Sequence, residues 1–356
     1  MALARARLSV VERRWTRARG VASVASAVTE REPRSRDGVS TLATFAMTTY
    51  WRCGQTGFFD AATPDAALDL GTPLGFEPLV GDGGELRRRT LAAFAGANLR
   101  ARTWLDGVDE GNGRTTRAGV FTSDDWIIVA FRGTTPSPLR GLIFESQING
   151  RAGQKTWGEA GRVHAGYAAA YDALRAKVED AVKAEMDACG GEKRLVVTGH
   201  SLGGALATLC AARLARAYGP EGARVDAVTF GQPRVGDSEF VRYLDVELAN
   251  ALSYARVVHG ADLFARVPTS GYWLPSANEG RFGVEYAHAG SMLWTNASKG
   301  SMNHVYAAKG AGEPEGFSLD ARMANPARVA LDHSGYARFF DEDPSIFDQW
   351  PDSGLL

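Results

Sequence analysis

One segment constrains this chain more than any other. The run Leu195-Val196-Val197-Thr198 is followed at once by Gly199-His200-Ser201-Leu202-Gly203-Gly204, and then by Ala205-Leu206-Ala207. The first part reads as a buried strand and the last as the opening of a helix. Between them lies G-x-S-x-G, a pattern that in a strand–turn–helix setting marks a nucleophile elbow. On its own the pattern is weak, since about 0.3 chance matches are expected in a chain of this length; the strand before it and the helix after it make it specific. A sharp turn holds its central serine in a strained backbone, which demands small neighbours, and Gly199, Gly203 and Gly204 supply them. The following helix then directs its N-terminal dipole at any negative charge that develops there. The alternative is a Gly-rich turn whose serine only caps the helix.

The pattern around the elbow repeats. Arg117 to Phe121, Trp126 to Phe131, Arg194 to Thr198, Val225 to Phe230 and Tyr254 to His259 read as strands. Tyr167 to Cys189, Leu202 to Tyr218 and Ser238 to Ala249 read as helices, closed in the first two cases by glycine. Leu86 to Trp104 reads as a helix, Thr295 to Glu315 as loop, and Asp332 to Phe340 as a short last helix. Strands alternating with helices predict an α/β fold with a mostly parallel central sheet and helices on both faces.

Composition narrows the field. The 356 residues are 45% hydrophobic and 23% charged, ordinary for a globular protein with a sizeable core. A formal net charge of -1 offers no field for nucleic acid, and no apolar run reaches the roughly 20 residues of a membrane span. Three widely spaced cysteines, Cys53, Cys189 and Cys210, form no disulfide framework, and Cys210 reads as a buried apolar residue. This suits a reducing, intracellular compartment. Residues 1–40 are rich in Arg, Ala, Val and Ser and poor in acids, which fits a plastid or mitochondrial transit peptide or a disordered tail. A domain over 41–345 and a C-terminal tail over 346–356 complete the expected organisation.

Acyl transfer at Ser201 needs oxyanion donors, a base and an acid. The N–H of the residue after the nucleophile, Leu202, is one donor. The turn Phe131-Arg132-Gly133-Thr134 follows a strand in the place where the second is expected, and Thr134 is its best candidate. With a chain order of serine, acid, histidine, the base lies among His259, His288, His304 and His333. His259 and His288 sit in apolar segments and His304 in a loop. His333 follows a loop at the start of the last helix and is preferred. Among Asp226, Asp237, Asp245 and Asp262, the last follows a strand end at the edge where such residues belong; Asp332 reads as a helix-start residue. No His/Asp cluster has metal-ligand spacing, so neither metal nor cofactor is expected.

Several blocks, taken together, resemble the class 3, fungal-type triacylglycerol lipase family of the α/β-hydrolase superfamily. They are Ile127 to Thr134, Val163-His164-Ala165-Gly166-Tyr167, Val197 to Ala207, Thr229 to Asp237, Asp262 with Arg266-Val267-Pro268, Tyr286 to Gly290, and Asp332-His333 with Tyr336. The resemblance implies an α/β-hydrolase fold, a Ser201–Asp262–His333 triad, an oxyanion hole of Thr134 and Leu202, and structural roles for His164 and His288. It also implies a lid over Thr135 to Gly161, with Leu139, Leu142, Ile143 and Phe144 as its apolar face. The implied activity is hydrolysis of a lipid carboxyl ester at a membrane or droplet surface. The alternatives are a serine esterase of soluble esters and a silent lipid-binding fold. The chain departs from the family after the Arg132-Gly133-Thr134 turn, where a Trp and then an Asp are frequent, and again in Leu263-Phe264-Ala265.

Overall fold

The computed structural model describes residues 42–43, 46, 49, 100–109, 114–133, 153–158, 160–268, 272–276, 280–298, 301–314, 316–317 and 325–336. The expected extension over 1–40, the tail over 346–356, Thr134 and the apolar lid residues Leu139, Leu142, Ile143 and Phe144 lie outside them.

In chain order the elements are β1 (Arg100–Asp109), β2 (Arg114–Thr122), β3 (Trp126–Phe131), β4 (Gln154–Thr156), β5 (Arg162–His164) and α1 (Ala165–Ala188). Then come β6 (Arg194–His200), α2 (Leu202–Tyr218), β7 (Val225–Phe230), α3 (Ser238–Arg242) and β8 (Leu252–His259). The last are β9 (Tyr272–Ser276), β10 (Gly280–Val284), β11 (Ser291–Ser298), β12 (Ser301–Ala307) and α4 (Pro326–Ser334). Eight strands form one sheet in the order β1-β2-β3-β6-β7-β8-β11-β12. The middle of it, β3-β6-β7-β8-β11, is parallel. Antiparallel strands close both ends.

The apolar runs explain the sheet's depth. In β3, Ile127, Val129 and Phe131 face one cluster with α1 and α2, while Ile128 and Ala130 on the other face are equally buried. A strand covered on both faces needs a continuous apolar run, which Trp126 to Phe131 supplies. Helix α2 is buried along Gly203–Ala212, which matches its Ala/Leu/Gly composition. The register puts Phe131 beside Gly199 and Gly199 beside Thr229, so the chain leaves β3, β6 and β7 along one edge. The loops that carry chemistry start there.

Three elements differ from the sequence expectation. Residues 100–104, expected to close a helix, belong to β1, whose partner is β2; pairing with a distant strand overrides local helical preference. Most of the expected loop after Thr295 is the β11–β12 hairpin, in which Thr295 faces His304; the Ser- and Asn-rich strands lack the apolar alternation that marks a strand. The last helix runs over Pro326–Ser334, not Asp332 to Phe340. Asn325 caps it by accepting from the N–H groups of Ala327 (3.1 Å) and Arg328 (3.2 Å), and Pro326 takes the first turn. His333 therefore sits in the last turn of a helix, not at its start.

Candidate active site

Ser201 links β6 to α2 with φ 57° and ψ -127°. Among the described residues it is the one non-glycine with a positive φ. Such a conformation costs about 1–3 kcal/mol and persists only where the surroundings enforce it. The Ser201 N–H donates to the Phe230 carbonyl (2.9 Å) and its carbonyl accepts from Gly204 (2.9 Å). A Cβ on Gly199 would collide with the Gly203 carbonyl, and one on Gly203 with the Phe131 carbonyl. The glycines of the motif thus permit close backbone approach on both sides. The Ser201 hydroxyl makes no capping bond to α2, so the helix-cap alternative does not describe it.

That hydroxyl instead meets His333. Ser201 Oγ lies 2.9 Å from His333 Nε2, and His333 Nδ1 lies 2.9 and 3.0 Å from the two carboxylate oxygens of Asp262. A carboxylate only accepts, so Nδ1 carries the proton and Nε2 presents its lone pair to the serine O–H. All three residues are buried.

Asp262 is ringed by donors. Its Oδ1 accepts from the Phe264 N–H (2.9 Å) and its Oδ2 from the Tyr336 hydroxyl (2.6 Å). Tyr336 in turn accepts from the His259 N–H at 3.0 Å. Arg266 holds the backbone carbonyls of Asp262 and Gly260. Burial works against the Asp262 charge, but the charge and hydrogen bond of His333 and the bond from Tyr336 outweigh it and hold its pKa below the usual carboxylate value. Burial and the adjacent carboxylate push the Tyr336 hydroxyl well up, so it stays a donor.

His333 is clamped as well. Its carbonyl accepts from His200 Nε2 at 2.6 Å, and the Phe264 ring lies 4.0 Å from its own, centroid to centroid. Burial and the nearby His333 depress His200 to about 3, so His200 stays neutral.

Sequence reasoning assigned no role to Arg266 or Tyr336 and misread Asp332. Asp332 is buried; it accepts from the Ala261 N–H (2.7 Å) and pairs with Arg328 (2.8 Å), tying α4 to the loop of Asp262. The Arg328-to-Asp332 spacing of one helical turn was the available signal.

The other candidates are occupied elsewhere. His164 caps α1 through bonds from Gly166 (3.1 Å) and Tyr167 (3.3 Å), and burial lowers its pKa to about 4. His288 donates to the Ala265 carbonyl at 2.8 Å, and His259 bonds Thr295 at 2.9 Å. Asp226 pairs with Arg194, Asp237 caps α3, and Asp245 accepts from Gly290. The side chain of His304 lies outside the described residues. Leu202 opens α2 directly behind Ser201. Among the described residues no group of three or more His, Cys, Asp or Glu could hold a metal ion, and no helix is long and apolar enough to cross a membrane.

The fold is of the α/β-hydrolase type, with Ser201, His333 and Asp262 in one hydrogen-bonded chain. Residues 128–272 match the family model for lipase (class 3), so this stretch of the chain resembles the class 3 lipases. It is 34% identical to secreted mono- and diacylglycerol lipase 1 of Fusarium solani over 44% of this chain and 44% of that one. It is 30% identical to a Rhizomucor miehei lipase over 54% of this chain and 47% of that one, and 34% identical to phospholipase A1-II 4 of Oryza sativa subsp. japonica over 41% of each. The chain thus spans less than half the length of these relatives. Among solved structures, a lipase from Rhizopus microsporus var. chinensis shares the fold at TM-score 0.56, with 21% identity over 88% of this chain and 90% of that one.

Proposed function

We propose that this chain hydrolyses carboxylic esters of acylglycerols or polar glycerolipids through Ser201, His333 and Asp262. The observation that carries the reading is the unbroken relay from Ser201 Oγ through His333 to the Asp262 carboxylate, with 2.9 Å at its two closest links. His333 Nε2 takes the hydroxyl proton as Oγ bonds to the ester carbonyl carbon. The imidazolium then protonates the leaving alkoxide as the C–O bond breaks, and Asp262 keeps the imidazole in its tautomer and offsets its charge. Water, activated by the same histidine, releases the fatty acid and restores Ser201. The N–H of Leu202, with Thr134, is assigned to the oxyanion, aided by the N-terminus of α2. The apolar residues Leu139, Leu142, Ile143 and Phe144 are assigned to a lid that opens at a membrane or droplet surface. The relatives' names support the lipid substrate: they include acylglycerol lipases and a phospholipase.

The test is a fluorophosphonate label combined with a lipid-class hydrolysis screen on the purified chain, Ser201→Ala and His333→Ala. Wild type is expected to label and to release fatty acid, and both variants to lose both. No labelling of folded wild type would mark a silent lipid-binding fold. Turnover of soluble esters only, with no rise on forming an interface, would mark a non-lipolytic esterase.

A further inference from the structure

His200 precedes the nucleophile in the chain, yet its side chain reaches the other half of the site. It ends β6, is fully buried, and donates through Nε2–H to the His333 carbonyl at 2.6 Å, across 133 residues of sequence. A carbonyl only accepts, so Nε2 carries the proton. The bond also meets a need of the helix. His333 is the penultimate residue of α4, and the last carbonyls of a helix have no N–H ahead of them within it.

The ring is well placed for this task. It lies 4.5 Å from the His333 ring and 5.4 Å from the Tyr336 ring, centroid to centroid. Burial and the neighbouring His333 hold its pKa at about 3, so it adds no positive charge beside the imidazolium that forms on His333 during turnover. Directly after it, the Ser201 N–H donates to the Phe230 carbonyl at 2.9 Å, which fixes the elbow to β7.

Two hydrogen bonds therefore join the elbow to His333: Ser201 Oγ with Nε2 at 2.9 Å, and His200 with the carbonyl. They differ in kind. The first contains the reacting atoms. Once Oγ has passed its proton to Nε2 and become acylated, it is an ester oxygen with no proton to donate. The second contains no reacting atom and survives acylation. When His333 must then direct water at the acyl carbon, the His200 bond is the one of the two that still ties it to the elbow.

We propose that His200 is a positioning residue that holds the backbone of His333 at a fixed distance from the nucleophile through both acylation and deacylation. The inference rests on the ester hydrolysis proposed above. A misplacement of about 1 Å can cost about 10²-fold in rate, so a bond that touches no reacting atom can carry a large kinetic effect.

The test compares His200→Leu with His200→Gln on the full chain, the second keeping an amide N–H at nearly the reach of Nε2. Turnover of p-nitrophenyl butyrate and the rate of fluorophosphonate labelling are measured beside the downfield proton NMR signal of the His333 Nδ1–H bonded to Asp262. His200→Leu is expected to lower kcat and the labelling rate about 10²-fold with KM kept, and to broaden the Nδ1–H signal. His200→Gln is expected to return both rates to within about five-fold of wild type and to restore a sharp signal. If the leucine variant does not fold, His200→Asn serves, since its amide falls one methylene short of the glutamine amide; the same losses are expected. A folded Leu or Asn variant with rates within about three-fold of wild type and an unchanged signal overturns the proposal. So does a glutamine variant no better than the leucine one, which would assign the effect to packing, or a change in KM alone. Wild type that neither labels nor turns over would instead refute the ester hydrolysis. The Nδ1–H signal then decides the positioning by itself: sharp in His200→Leu, it overturns the proposal; broadened there and sharp in His200→Gln, it supports it.

Discussion

Ser201 is held in place by backbone, whereas Asp262 and His333 are held by other side chains. On the serine side, the 199–204 turn packs main chain against main chain, with no room for a Cβ at Gly199 or Gly203. On the other side, the side chains of Tyr336, Arg266, His200 and Asp332 each contribute a bond to the proposed acid, the proposed base or their loops, and the Phe264 N–H adds one more. The difference matches the proposed task. A nucleophile needs one strained geometry that does not relax, and close-packed backbone is the stiffest support available. An acid–base pair needs its charge stabilised and its tautomer chosen, and that takes oriented donors.

If this contrast holds, the two sides should fail differently when altered. The largest effect is expected at Asp262→Asn, which keeps the shape but removes the charge that selects the His333 tautomer: kcat should fall about 10⁴-fold, with folding retained by circular dichroism and thermal melt. A fall of less than ten-fold would move the acid elsewhere. Gly203→Ala should instead act on stability, by about 3 kcal/mol, because its Cβ meets the Phe131 carbonyl and neither strand nor helix can yield. Denaturant unfolding checks it, and an unchanged midpoint would show that the turn is looser than it looks. Tyr336→Phe should have the smallest effect, a roughly ten-fold loss in kcat with KM kept, from removing one charge-assisted bond to Asp262. Steady-state kinetics decide it; a change in KM alone would assign Tyr336 to substrate binding.

The same contrast explains what was legible beforehand. The elbow is contiguous, so strand, glycines, serine and helix could be read from 13 successive residues, Leu195 to Ala207. Asp262 and His333 are expected as partners from chain order and position after strand ends, and the structure brings them to 2.9 Å, although His333 closes its helix rather than opening it. Its true frame depended on Asn325 and Pro326, a cap-and-proline signal that was present and passed over. The β11–β12 hairpin was missed because its polar residues carry no alternation, and its strands exist through pairing with β8 and with each other.

By itself, then, the amino-acid order determined the α/β class, the strand–turn–helix that holds Ser201 and the strand ends from which the site is built, because those features arise from local periodicity and from glycines whose spacing only a sharp turn uses. Only the tertiary structure decided which donors surround Asp262, that Asp332 braces α4 against its loop, and that His200 reaches the His333 carbonyl. Those partners are 71 residues apart for Asp262 and His333 and 74 for Asp262 and Tyr336. Such contacts form only when strand order brings distant loops to one edge of the sheet, and no local pattern in the chain encodes that edge.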